Sequence, residues 1–215
     1  MASSVQRKRI RKAPAARRAE IVDAAAAVAL GEGLECVTLQ RIADELDVRP
    51  GLISHYFGTA EDLVAEAFGA ATGAELDVLL PEERTGGTCT EHLARFFALA
   101  AGPEFDRLSR LWINAWHLRG SRPVLNERVL ERETAWRTRL ESLVREGVAR
   151  GEFRTDDPYV TTLQIIVVLD GLGAHANTDT SYRPEAVARM AVTVAEQGLG
   201  LARGALGPVG SAASE

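Results

Sequence analysis

Apolar residues recur at helical spacing along nearly the whole chain and alternate at strand spacing nowhere. Ile21, Ala25, Val28 and Ala29 make one face of a helix from about Pro14 to Leu30. Gly31 and Gly33 supply its stop, because glycine tolerates the left-handed conformation at a helix end. Thr38 suits the N-cap of a second, short helix lined by Ile42, Ala43 and Leu46, with Val37 and Ile42 at staple spacing. A turn at Asp47-Val48-Arg49 follows. Pro50, favoured in a first helical turn, opens a third short helix ending near Phe57. Gly58 breaks it, and Thr59 with Asp62 forms a capping box for a helix over 60–79. Residues 81–90 read as a Thr-Gly-rich loop. Further helices are expected at about 91–101, 104–119, 123–150, 158–176 and 184–203. The chain is therefore all-α, with about nine helices.

Composition excludes several classes. At 46% hydrophobic and 26% charged, the 215 residues suit a globular chain with a sizeable core. The longest wholly apolar run, Ala24 to Leu30, is far short of the ~20 residues of a membrane span. No apolar leader follows the first basic residues, and two cysteines, Cys36 and Cys89, make neither a disulfide framework nor a metal cluster, so a cytoplasmic protein is expected. The four histidines show no metal-ligand spacing. There is no Gly-x-Ser-x-Gly elbow and no Gly-Lys-Ser/Thr loop. Gly198-Leu-Gly-Leu-Ala-Arg-Gly misses the dinucleotide fingerprint and follows no strand, so it reads as a frayed helix end. No enzymatic activity, cofactor or metal is expected.

Charge is unevenly placed. Residues 1–18 hold Arg7, Lys8, Arg9, Arg11, Lys12, Arg17 and Arg18 and no acid, within a chain of net charge -5. A basic arm on an acidic body fits either a polyanion partner at one end or a solubilising N-terminus. The organisation read from these patterns is a flexible basic arm over 1–16 and a three-helix domain over 17–58. A larger helical domain over 59–204 and a disordered tail over 205–215 complete it.

Two short helices joined by a three-residue turn are the elements of a helix-turn-helix, whose second helix enters the DNA major groove with its N-terminal residues on base edges. Here those residues are Arg49, Pro50, Gly51 and Leu52. Arg49 matches a guanine edge, Leu52 a thymine methyl, and Gly51 permits close approach. Ser54, His55 and Tyr56 carry groups suited to phosphate oxygens, and Thr38 sits where helix-start amides favour a phosphate. Against this, residues 19–57 contain only two basic residues, Arg41 and Arg49, among seven acids.

The helix at 158–176 is apolar nearly all round, which requires burial on two faces. A homodimer interface shared with the last helix satisfies that, as does a central helix in a monomeric core. Trp112, Trp116 and Trp136 precede it, with Asn114, His117 and Asp170 as nearby polar candidates. Aromatic faces with a carboxylate suit a cationic small molecule, though tryptophans four residues apart serve equally as core. Asp170 needs a partner in its apolar helix. Arg119, His117 and His175 are the residues considered.

The stretches Arg18-Ala-Glu-Ile-Val-Asp-Ala, Val37-Thr-Leu-Gln-Arg-Ile-Ala and Val48-Arg-Pro-Gly-Leu-Ile-Ser-His-Tyr-Phe together resemble the N-terminal signature of the tetracycline-repressor (TetR) family. Gly-Leu-Ile-Ser-His-Tyr-Phe is closest to the subgroup typified by BetI, the choline-responsive repressor, and Asp170-Gly171-Leu172 resembles that subgroup's C-terminal domain more weakly. The resemblance implies a homodimeric repressor that binds double-stranded DNA at a palindromic operator and is released by a small-molecule effector in its larger domain. By position, Thr38, Pro50, Gly51, Ser54, His55 and Tyr56 would be the DNA contacts. The chain departs from the family at Asp47, where glycine is usual, at Arg49, where a small capping residue is usual, and at Ala60, where lysine is usual. The rival reading is a helical small-molecule sensor without DNA affinity.

Overall fold

The structure is a computed structural model that describes residues 13–178, 187 and 189–207. Among these it contains nine α-helices and no strand. They are α1 (Pro14–Glu32), α2 (Leu39–Glu45), α3 (Pro50–Tyr56), α4 (Ala60–Leu79), α5 (Cys89–Ala100), α6 (Pro103–Leu118), α7 (Pro123–Ala149), α8 (Pro158–Thr178) and α9 (Met190–Gly198). One-turn helices at Leu34–Cys36 and Arg119–Ser121 follow α1 and α6. Five of the nine begin on proline, whose fixed φ and missing N–H suit a first turn. The Thr59–Asp62 capping box forms as expected, and Thr88 with Glu91 makes a second one that starts α5. Asp47 adopts φ 49°, so the turn between α2 and α3 takes the left-handed residue that glycine would otherwise supply.

Three expectations shift. Helix α1 runs through Gly31 to Glu32 and stops at Gly33, with φ 104°, whose N–H reaches Ala29 O. It begins at Pro14, so residues 14–16 are helical rather than arm; Arg7 to Lys12 lie outside the described residues. The expected disorder of 205–215 fails at its start. Leu206 is 3% exposed, and the buried Glu196 carboxylate accepts from the backbone N–H of Gly204 at 2.9 Å and Leu206 at 3.1 Å. Those bonds satisfy a charge that would otherwise be costly to bury. Residues 208–215 lie outside the described set, as does much of 179–189 in the expected last helix.

Two apolar cores organise the chain. The first joins Ile21, Ala25, Ile42, Ile53 and Phe57 of the three-helix head to Leu63 and Phe68 of α4, Leu111 of α6 and Leu125 of α7. The second packs α5, α7, α8 and α9 around Phe96, Leu140, Leu143, Phe153 and Ile165. Trp136 touches both. Helices α6 and α8 cross closely where a Cβ on Gly173 would lie 2.5 Å from Ser109 Oγ. By length and composition alone, Pro158–Asn177 of α8 is apolar enough to cross a membrane, with mean hydropathy 1.3. Its exposed stripe carries Val160 and Val167, at 45% and 66%, and Met190 at the start of α9 is 46% exposed.

Candidate DNA-reading head and effector pocket

The head is built by the first core. Ile42, Ala43, Ile53 and Phe57 are buried, and Leu46 and Val48 pack against them, as the sequence pattern requires. That burial fixes which side of α3 faces outward. Arg49, Gly51, Ser54 and His55 are exposed; Pro50, Leu52 and Tyr56 are half-buried. Thr38 is exposed and its hydroxyl oxygen accepts from Arg41 N at 3.0 Å, capping α2. No Cβ contact would arise at Gly51, so a partner surface can approach the backbone there. All eight residues named from the sequence thus fall on α3 or at the start of α2.

Their hydrogen-bonding capacity differs. Ser54 Oγ already donates to Pro50 O at 3.1 Å, so its proton is committed within the helix. The His55 and Tyr56 rings meet edge-on at 5.3 Å. Arg49 starts α3 without a side-chain cap and pairs with no acid among the described residues. Arg41 is different: it pairs with Glu32 at 2.6 Å and Glu45 at 2.7 Å, and those bonds push its pKa up. Arg17 and Arg18 of α1 pair likewise with Glu20 and Glu66, so among the described arginines of the head Arg49 is the one without an acidic partner.

A second site opens between α6, α7 and α8. Its cavity volume is about 90 Å³, and it opens to solvent at its mouth. Trp112, Trp116, Trp136 and Asp170 all line it, with Phe96 and Phe105 adding aromatic surface. Trp112 stacks at a tilt on Trp116 with centroids 5.7 Å apart and edge-on to Phe68 at 5.0 Å. The indole N–H of Trp136 is buried and meets no acceptor. The three tryptophans thus pack into the cores and face the pocket at once.

Three polar expectations change. His117 is exposed and does not line the cavity, because one residue past Trp116 turns the helix by about 100°. Asn114 faces away from the pocket and bonds to the head, accepting from Leu34 N at 2.7 Å. Arg119 does not pair with Asp170 but with Glu133, at 3.2 Å.

Glu133 is the pocket residue that the sequence did not reveal. Its Oε1 accepts from Trp116 Nε1 at 2.8 Å as well as from Arg119, so α7 presents a carboxylate whose charge is already met. Asp170 makes no hydrogen bond or ion pair with a described residue. Its surface is accessible while protein surrounds it densely, as befits a carboxylate facing a cavity rather than open solvent. Desolvation pushes its pKa up to about 6, and the Glu133 charge acts in the same direction. Aromatic faces beside an unmatched carboxylate have the chemistry to attract a cation.

Comparison with known proteins places these features. A sequence profile described as "Bacterial regulatory proteins, tetR family" matches residues 21–67. One described as "BetI-type transcriptional repressor, C-terminal" matches residues 90–199. No curated protein matches the chain. Similar solved structures include a chain from Rhodococcus sp. described as a TetR-family transcriptional regulator, with TM-score 0.72, 19% identity and coverage of 86% of this chain and 99% of that one. A transcriptional regulator from Saccharomonospora viridis, solved in complex with choline, has TM-score 0.68 and 22% identity over 84% of this chain and 94% of its own. The fatty acid degradation regulator FadR from Bacillus halodurans gives 0.63 and 23% over 90% and 99%. At these identities the likeness is one of fold.

Proposed function

The chain belongs to the tetR family of bacterial transcriptional regulators, with a BetI-type C-terminal domain and not an enzyme's, and from that premise we propose a repressor released by a quaternary ammonium effector. Two copies hold a palindromic operator, each with α3 in a major groove, and a small cation entering between α6, α7 and α8 lowers operator affinity. The observation that carries the effector class is the pairing of Trp112, Trp116 and Trp136 with the unpaired Asp170 carboxylate. The choline-bound neighbour from Saccharomonospora viridis supports the same class.

Reading at the DNA falls to Arg49, Gly51 and Leu52, while Thr38, Pro50, His55 and Tyr56 hold register on the backbone. Ser54 joins them by rotating its hydroxyl away from Pro50 O. The homodimer forms through α8 and α9. Val160, Gln164, Val167 and Gly171 make an exposed stripe at alternating spacings of four and three, the seam of a helix packed on its twin. That role accounts for the apolar length of α8 in a cytoplasmic protein. Two-fold symmetry in the protein matches two-fold symmetry in the operator.

One observation favours the rival sensor without DNA affinity. Arg41 is spent on Glu32 and Glu45, and Ala60 offers no phosphate contact where the family usually has lysine. Selection of bound fragments from genomic DNA separates the readings. A recovered palindrome whose affinity falls steeply with salt supports the repressor, since phosphate contacts release counterions. No enrichment at low salt supports the sensor.

A further inference from the structure

Trp112 and Trp116 line the pocket from α6, while Asn114 between them points to the opposite side, because two residues turn a helix by about 200°. There its Oδ1 accepts from Leu34 N at 2.7 Å and its Nδ2 donates to Glu35 Oε2 at 2.7 Å. Both partners belong to the one-turn helix Leu34–Cys36, which joins α1 to α2. Beside these bonds lies an open cavity of about 220 Å³ between the last turn of α1 and α6, with Arg107 and Arg110 on its α6 wall. Head and α6 are incompletely packed at this corner, and Asn114 on its wall ties them there.

The other side of the pocket is tied to the head by a separate route. Helix α7 is bound to α4 by Glu61, which accepts from Val124 N at 2.9 Å, by Glu66–Arg128 at 3.0 Å and by Asp77–Arg139 at 2.7 Å. The stem of Arg128 lies flat on α4 where a Cβ at Gly69 would be 2.9 Å from it. Glu66 also meets Arg18 of α1 at 3.4 Å, and the Arg18 guanidinium sits 4.9 Å over the Phe57 ring at the end of α3. The head is thus held to α7 through α4, and to α6 through the shared core at Leu111 and Ala115 and through Asn114. The pocket opens between those two supports.

We propose that Asn114 is the positioning residue that passes pocket occupancy to the reading head. An effector that spreads α6 from α7 carries the Leu34–Cys36 turn along with α6 while α4 stays with α7, and so re-aims α2 and α3. The naming of the effector rests on the function proposed above; the linkage itself does not. Because coupling between two ligands is reciprocal, it is read as the ratio of choline affinities of the free and operator-bound protein.

The test uses the full chain, choline as probe, titration calorimetry for choline and fluorescence anisotropy for operator. In the wild type the ratio falls in the ordinary allosteric range of about 5–150-fold. In Asn114→Ala it drops below about 5-fold while choline affinity of the free protein is unchanged. Asn114→Asp combined with Glu35→Gln exchanges donor and acceptor and restores the ratio. Glu35→Ala, at an exposed side chain, also lowers it and keeps the test decisive should Asn114→Ala not fold.

A wild-type ratio kept in Asn114→Ala or Glu35→Ala overturns the proposal. A wild type indifferent to choline overturns the effector reading alone, and Ile166→Trp, which fills the pocket without ligand, then decides the linkage. That substitution weakens operator binding in the wild-type background and not alongside Asn114→Ala. Equal weakening in both backgrounds, or none in either, overturns the linkage.

Discussion

Trp116 donates its indole N–H to Glu133 at 2.8 Å, clasping α6 to α7 across the pocket. Arg119 reaches the same oxygen and answers the Glu133 charge, so under the proposed function Asp170 is the carboxylate that answers the effector's. The two carboxylates therefore play different parts, set by their neighbours rather than by their chemistry. Asp170→Asn should weaken choline binding by about tenfold, equivalent to ~1.4 kcal/mol, and Glu133→Gln by less. Calorimetry on the free protein checks this; equal losses would contradict the division.

Burial holds the Asp170 carboxyl up to about 6, so the proposed effector binding should depend on pH. Choline affinity should be level above pH 7 and fall as the carboxylate is protonated below about pH 6. The Asp170→Asn protein should show a flat profile over the same range. Titration at pH 5, 6, 7 and 8 measures it.

Glu75, between α4 and α6, is pushed up to about 7 by desolvation and by the Glu104 charge, with Arg107 opposing. Its folded-state pKa thus lies above the value of 4.5 it has in an open chain, so the folded protein binds the proton more tightly. Its ionisation then disfavours the fold, fully above about pH 7 and not at all below about pH 4.5. Glu75→Gln should raise Tm at pH 8 and leave it unchanged near pH 4. Thermal melts at both values decide it.

In the head, Arg49→Ala should change which sequences are selected, with a cost of about 1–3 kcal/mol at the contacted base pair. Tyr56→Phe should weaken binding about equally across sequences and reduce the salt slope slightly, as loss of a backbone contact does. An unchanged selected site for Arg49→Ala would remove that residue from base reading.

Gly147 of α7 lies under Phe153, and a Cβ there would fall 2.1 Å from the ring. Gly147→Ala should destabilise by about 1–3 kcal/mol through overpacking, lowering Tm without altering the selected operator. A Tm equal to wild type would contradict this packing.

Local signals were legible in the sequence where one residue decides one backbone event. Prolines 50 and 123 marked helix starts, Thr59 with Asp62 made its capping box, and Asp47 took the left-handed turn. The tryptophans stood out by size and rarity, but their spacing left pocket and core both open. Glu133 did not, since it sits in a run of alternating charges on α7 that reads as a solvated face until α6 is placed against it. Asn114 stands in the sequence only as a polar candidate near the tryptophans, because spacing gives its helix but not which neighbour each face meets; its partner is 80 residues away. Arg119 was a candidate for Asp170 on the same ground, and Glu133 on α7 takes it instead. Tertiary pairing decided all three.

The central claim is release from DNA by a small quaternary cation. Its most direct measurement is anisotropy of a labelled palindromic fragment recovered from genomic selection, titrated with protein at several salt concentrations, with and without choline. The account predicts salt-dependent binding that choline weakens by about 5–150-fold. Operator affinity that choline leaves unchanged, or strengthens, would contradict it.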